Sequence, residues 1–226
     1  MTTPLQPLDY HQIDSIEPAL ATVIWLHGLG ASAHDFDSII PYLQMKPSFR
    51  TVRFIFPQAP MCSVTLNQGY VMPAWFDIYQ IDKHGPQDQE GIERSYAALL
   101  KMIETEIAKG IPANKIFLMG YSQGGAMALY TSLIYANTLA GVIGLSTYLP
   151  LNGIVQKQAV NHSNTYWIAH GTQDKVVPFV YGEESVLALR ALGCKVVLQN
   201  YPIEHEISMP EIDAMREWMI KRLELL

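Results

Sequence analysis

A serine held between glycines is the first place in this chain where the residue types suggest chemistry. Gly120-Tyr121-Ser122-Gln123-Gly124 is a G-x-S-x-G pattern. Before it runs a short apolar stretch, Lys115 to Met119, that reads as a buried strand. After it, from Gln123, come small residues and good helix formers. A strand that turns abruptly into a helix at such a serine exposes the hydroxyl for nucleophilic attack. Glycines are needed there because the turn is tight and neighbouring backbone comes close. The pattern alone is weak. With 15 glycines and 12 serines among 226 residues, chance places it in roughly one such chain in twenty. An ordinary glycine-rich turn is the plain alternative, and the partners decide.

A serine hydroxyl is a poor nucleophile at neutral pH. It needs a base to take its proton and a carboxylate to hold that base. At a strand–serine–helix turn of this kind, the acid and then the base follow the serine in the chain. Seven histidines compete for the base. His11, His27, His34 and His84 precede the serine, and His162 lies in an irregular segment before the acid candidate. His170 ends a strand and reads as satisfying local backbone. His205 alone lies between the last expected strand and the last expected helix. Taken by itself it would read as a solvated loop histidine; chain order and placement reverse that. Among the carboxylates, Glu183, Glu184, Asp213, Glu217 and Glu224 fall on expected helices, and Glu204, Glu206 and Glu211 crowd the histidine loop. Asp174 stands in a strand-to-helix turn. The expected triad is Ser122, Asp174 and His205. Negative charge on the acyl oxygen needs fixed donors. The Gln123 amide follows the nucleophile, and the Leu29 amide lies in the loop His27-Gly28-Leu29-Gly30, so these two are the expected oxyanion hole. Gln123 also opens a helix, whose dipole favours negative charge. No histidine pair has the His-x-x-x-His spacing of a zinc hydrolase, so no metal and no cofactor is expected.

These groups can meet only if the intervening elements carry them to one place. Residues 1 to 19 read as a polar surface arm with a short edge strand at Tyr10 to Ile13. Leu20 to Leu26 is a continuous apolar run, the mark of a strand buried on both faces. Asp35 to Leu43 has helical apolar spacing, and Val52 to Phe56 is a strand closed by Pro57. Gly91 to Lys109 is a strong amphipathic helix, with Gly110 and Pro112 at its end. Strands are expected at Ala140 to Leu145, Tyr166 to Ala169 and Lys195 to Tyr201. Helices are expected from the serine to about Ala136, from Phe179 to Leu192, and from Ser208 to about Leu225. Ser208 and Glu211 form an S-x-x-E capping box. Ser146 to Ser163 reads as irregular. Strands thus alternate with helices: a mostly parallel sheet with helices on both faces, one domain over residues 1–226. Ligands of such sheets bind at the carboxyl ends of the strands, where Leu29, Ser122, Asp174 and His205 all lie.

One connection is unusually long. From about 57 to 90 no helical period persists, and long ordered loops of this kind are usually lids or binding loops. Leu66, Met72, Trp75 and Phe76 on it, with Tyr148, Leu149 and Val176 elsewhere, are the expected walls of an apolar acyl site. Any single loop residue reads equally well as core filler. The net charge of −6, with lysines and arginines scattered, gives nucleic acid no basic footprint. The first nine residues show neither a basic nor an apolar leader segment, and Leu20 to Leu26 is far too short to span a bilayer. Cys62 and Cys194 do not make a disulfide framework, so a reduced, cytoplasmic setting is expected.

Several motifs in this order resemble the small carboxylesterase, phospholipase and acyl-protein thioesterase family of α/β hydrolases. They are Leu26-His-Gly-Leu-Gly30, Pro57-Gln-Ala-Pro60, Val64-Thr-Leu-Asn67, Met72-Pro-Ala-Trp-Phe-Asp77, Gly120-Tyr-Ser-Gln-Gly-Gly125, His170-Gly-Thr-Gln-Asp174 with Lys175-Val-Val-Pro178 after it, and the Glu204-His205-Glu206 loop. The resemblance runs from about Thr22 to Leu223. It implies the α/β-hydrolase fold and hydrolysis of acyl esters or thioesters, of small molecules, lysophospholipids or acylated proteins. It implies the same triad and oxyanion positions, and an acyl groove formed by the long loop and Val176. Tyr121 departs from it, standing where many members have Phe. Two other readings stay open: an esterase for small polar esters, and a non-catalytic acyl-binding protein on this fold. A homodimer is compatible with either.

Overall fold

The computed structural model describes residues 7–80 and 82–224. The first six residues of the expected surface arm, and Leu225 at the expected end of the last helix, lie outside them. Seven strands form the main sheet: β1 (Tyr10–Ile13), β2 (Ala21–Leu26), β3 (Val52–Pro57), β6 (Ile116–Tyr121), β7 (Gly141–Leu145), β8 (Thr165–Gly171) and β9 (Lys195–Tyr201). Their spatial order is β1-β3-β2-β6-β7-β8-β9. Only β1 is antiparallel; it pairs with β3 at the sheet edge.

The apolar runs of β2 and β6 make sense on this sheet. Successive side chains point to opposite faces, so a strand buried on both sides is apolar at nearly every position; Thr22, the polar residue of β2, is satisfied by donating to Glu106 Oε2 at 2.8 Å. Ile24 and Leu26 of β2, with Ile116 and Leu118 of β6, join the core on one face. Val23 and Trp25, with Phe117 and Met119, join the core on the other. Helices α2 (Gln89–Ala108), α3 (Gln123–Ile134) and α5 (Phe179–Ala191) cover the first face through residues such as Leu99, Leu129 and Leu189. Helices α1 (Ile40–Gln44) and α6 (Met209–Glu224) cover the second through Leu43, Met215 and Met219. Helix α3 is buried from Gln123 to Leu133, which explains its small and apolar residues on all sides. No helix among the described residues is long and apolar enough to cross a membrane.

Four expectations change. The helix read at Asp35 to Leu43 shrinks to α1; turns closed by Asp35 N–H to Ser32 O and Ile39 N–H to Phe36 O precede it. Pro41 explains this, since proline lacks an N–H and fits only the first turn of a helix. The segment 57–90 is not a bare loop: β4 (Met61–Val64) and β5 (Tyr70–Pro73) pair as an antiparallel hairpin inside it. The segment read as irregular from Ser146 holds α4 (Asn152–Gln158), a helix too short for its period to stand out. The capping box is half made. Glu211 Oε2 accepts from Ser208 N–H at 3.4 Å, while the buried Ser208 hydroxyl has no partner.

The register brings the carboxyl ends of the strands level. Leu26 of β2 lies opposite Gly120 of β6, Gly120 opposite Gly144 of β7, and Leu145 opposite Ala169 of β8. The loops that follow β2, β6, β8 and β9 therefore open on one edge of the sheet.

Candidate active site

Ser122 sits at a turn few side chains tolerate. Its φ of 53° and ψ of −121° lie outside the ordinary L-residue regions. Sterics explain both flanking glycines. A Cβ on Gly120 would lie 2.3 Å from the Gly124 carbonyl carbon, and one on Gly124 would lie 2.5 Å from both the Leu26 and His27 oxygens. The elbow thus packs against its own helix and against the end of β2. Hydrogen bonds hold it: Ser122 N–H donates to Leu145 O at 2.8 Å, and the Thr147 hydroxyl donates to Ser122 O at 2.7 Å.

Asp174 follows β8 and His205 follows β9. The structure brings both to Ser122. His205 Nε2 lies 3.0 Å from Ser122 Oγ, and His205 Nδ1 lies 2.7 Å from Asp174 Oδ2. The Asp174 side chain is fully buried, and its other oxygen accepts from the Val176 and Val177 N–H groups at 2.9 and 2.8 Å. With Oδ1 held this way, Oδ2 has one orientation toward the imidazole. His170 stands against the same carboxylate, with Nε2 3.4 Å from Oδ2 and 2.8 Å from Val177 O. Burial lowers its pKa, so it is a neutral donor to the Val177 carbonyl, the local backbone role expected for it.

The His205 loop has a second support that sequence order did not reveal. The Tyr121 hydroxyl donates to His205 O at 2.7 Å, and the two rings lie 4.9 Å apart. Burial pushes the phenol pKa up, which keeps it a donor. The Phe common at this position in the family could not make this bond.

Leu29 and Gln123 face the same space. The first N–H groups of a helix have no intrahelical acceptor, which leaves the Gln123 amide available beside Ser122. His27 fixes the Leu29 loop. Its Nε2 accepts from Ala59 N–H at 3.0 Å, so Nδ1 carries the proton and donates to Gly28 O at 2.7 Å. Burial lowers the His27 pKa and keeps that neutral tautomer.

The Gln123 side chain has a role of its own, absent from the sequence reading. Its Oε1 accepts from Trp75 N–H at 2.9 Å, and its Nε2 donates to Phe76 O at 2.8 Å. The indole N–H of Trp75 donates to His27 O at 2.8 Å. The residue after Ser122 therefore ties the 57–90 segment to the elbow. A polar residue opening an otherwise apolar buried helix was the available signal.

A cleft of about 790 Å³ opens over Ser122 and His205. Of the seven expected wall residues, Leu66, Tyr148 and Val176 line it, and Leu29 and Gln123 border it as well. Trp75, Phe76 and Leu149 do not: each is at most 3% exposed and packs in the core. Their backbone groups hold them inward, Trp75 and Phe76 through Gln123, and Leu149 through a 2.7 Å bond from its N–H to Ser185 Oγ. Met72 instead flanks Gly30 and shares a shallow depression with Leu66. Phe36, Ile39, Ile78, Tyr181 and Ile207 complete the apolar wall. They lie on four different segments, and no sequence period joins them.

A profile of the phospholipase/carboxylesterase family matches residues 10–223. Acyl-protein thioesterase 1 of Neurospora crassa is 37% identical over 213 residues, covering 90% of this chain and 87% of the relative. The crystal structure of Arabidopsis thaliana SOBER1 superposes with a TM-score of 0.86 at 30% identity, covering 90% of this chain and 99% of that one. Zea mays acyl-protein thioesterase 2 superposes at 0.84 with 28% identity, covering 95% and 99%. The chain belongs to the phospholipase/carboxylesterase family of α/β hydrolases and is a serine carboxylic ester hydrolase.

Proposed function

We propose that the chain hydrolyses acyl esters and thioesters through an acyl-enzyme on Ser122, with His205 as base and Asp174 as its orienting acid. The observation that carries this is the unbroken run of contacts from Ser122 Oγ to His205 Nε2 at 3.0 Å and from His205 Nδ1 to Asp174 Oδ2 at 2.7 Å. Ser122 Oγ attacks the acyl carbonyl and its proton passes to His205 Nε2. Asp174 holds the Nδ1–H tautomer and stabilises the imidazolium. The amides of Leu29 and Gln123 receive the oxyanion, the latter aided by the amino-terminal dipole of α3. His205 then gives its proton to the departing alcohol or thiol. A water, deprotonated by His205, releases the carboxylic acid and restores the serine.

The walls favour an acyl chain over a small polar acid. Leu66, Ile78, Tyr148 and Val176 offer apolar surface beside the nucleophile. The thioesterase names of the relatives are in keeping with a thiol leaving group, on lipid-like or protein-borne substrates. Two unpaired cysteines fit a reducing compartment such as the cytoplasm.

A fluorophosphonate probe tests the nucleophile: the native chain takes up one label, and Ser122→Ala takes up none. Labelling that persists in Ser122→Ala would sink the assignment. Matched ester and thioester series of rising acyl length test the wall. Substitution of Leu66, Tyr148 or Val176 by a larger or polar residue should shift the preferred length, and an unchanged profile counts against an acyl site there.

A further inference from the structure

We propose that His11, His34 and Asp37 form a binding site for a zinc-type divalent cation, separate from the catalytic groups. Among the described residues this is the one place where three metal-ligating side chains converge, with all ligand atoms within 4.8 Å of one another. His11 Nε2 lies 3.2 Å from Asp37 Oδ1, and His34 Nδ1 lies 3.0 Å from Asp37 Oδ2. Ligand atoms about 2.0–2.1 Å from a tetrahedral zinc ion stand roughly 3.3 Å apart, and each imidazole nitrogen stands about that far from one or the other Asp37 oxygen.

The imidazoles sit with ring centroids 4.3 Å apart, and both face one carboxylate. Asp37 Oδ1 is shielded from solvent and yet has no hydrogen-bond partner, although His11 is near enough in distance. A cation between the three groups satisfies that oxygen. The ligand set selects the metal. Two imidazoles and one carboxylate suit Zn²⁺ or Co²⁺, whereas Mg²⁺ and Ca²⁺ prefer an all-oxygen shell.

The site is also built on firm ground. His11 lies on β1 in register with Phe56 of β3, and its ring stacks on Phe56 at 6.0 Å. His34 and Asp37 lie on the turns after β2, the same turns that carry Asp35, Phe36 and Ile39 into the cleft wall. A bound cation would cross-link the edge strand to that wall. His34 is well exposed, which leaves room for water as a further ligand and a path for entry. Sequence spacing hid this set, because His11 is distant from His34 along the chain and only the antiparallel edge strand brings it back.

Calorimetric titration of the metal-free full chain with Zn²⁺ tests the proposal, with Co²⁺ visible absorption as a second readout. One saturable site is expected, with a tetrahedral Co²⁺ band and a thermal midpoint that rises with Zn²⁺. His34→Ala and Asp37→Asn alter partly exposed side chains outside the catalytic groups and should keep fold and hydrolysis. Each should weaken that binding by at least about tenfold, since even indirect support of a ligand is worth that much. His84→Ala and His162→Ala should leave it unchanged. Absence of saturable Zn²⁺ binding in the native chain, or equal binding in His34→Ala and Asp37→Asn, overturns the site.

Discussion

Replacing Glu211 by Gln should make this protein more stable in mild alkali and not in mild acid. Glu211 is 1% exposed at the start of α6. One carboxylate oxygen makes a long contact with Ser208 N–H, and the other has no partner. Burial raises its pKa from 4.5 to about 7. The folded pKa is therefore above the unfolded one. The stabilisation is complete below pH 4.5 and is lost as pH rises through about 7. Each pKa unit is worth 1.36 kcal/mol, so between pH 5 and pH 8 this carboxyl alone removes roughly 2–3 kcal/mol of stability. Gln cannot titrate, and it can serve the capping position as Glu does. Its buried amide, with no partner in place, costs roughly 1 kcal/mol. The variant should then be roughly 1–2 kcal/mol more stable than the native chain at pH 8 and less stable at pH 5. Denaturant unfolding followed by tryptophan fluorescence at both pH values measures this. The difference between variant and native chain is the readout, because other groups titrate equally in both. A difference that stays constant from pH 5 to pH 8 would refute the reasoning.

Asp174→Asn should lower turnover by roughly 10⁴-fold, the size known for a triad aspartate in another serine hydrolase; steady-state kinetics showing less than a tenfold loss would point to another acid. Tyr121→Phe removes the bond to His205 O, worth about 1 kcal/mol, so kcat should fall about fivefold with KM nearly unchanged. A rise in KM alone would show that the hydroxyl does not position the base. Gln123→Ala leaves the Trp75 N–H and the Phe76 carbonyl unpaired, at about 1–3 kcal/mol each, so its unfolding midpoint should fall by at least about 4 °C. An unchanged midpoint would mean the 57–90 segment does not depend on this anchor.

What could be read from sequence follows a physical line. Strands buried on both faces are apolar at nearly every position, so β2 and β6 stand out unaided. Chain order and strand ends then single out Asp174 and His205, because a parallel sheet delivers all its carboxyl-end loops to one edge. Elements shaped by one residue against a wider pattern were harder to read. Pro41 overrides the helical spacing from Asp35, and α4 is too short to show a period. The cleft walls fail for another reason. A hydrophobic residue on a loop is equally suited to a pocket or to the core. For Trp75 and Phe76 the choice is made by hydrogen bonds from Gln123, a residue 47 or more positions away.

That dependence links nucleophile and loop. Gln123 N–H belongs to the proposed oxyanion hole, and the Gln123 side chain holds the backbone of Trp75 and Phe76. Trp75 in turn bonds to His27 O, and His27 orders the loop that bears Leu29. The two proposed oxyanion donors, far apart in sequence, are therefore joined through one run of hydrogen bonds from Gln123 through Trp75 to His27 and the loop that bears Leu29. Movement of either donor would strain buried hydrogen bonds in the 57–90 segment. Such a run would keep the proposed donors in place before any acyl oxygen arrives, which is the condition under which donors lower a barrier.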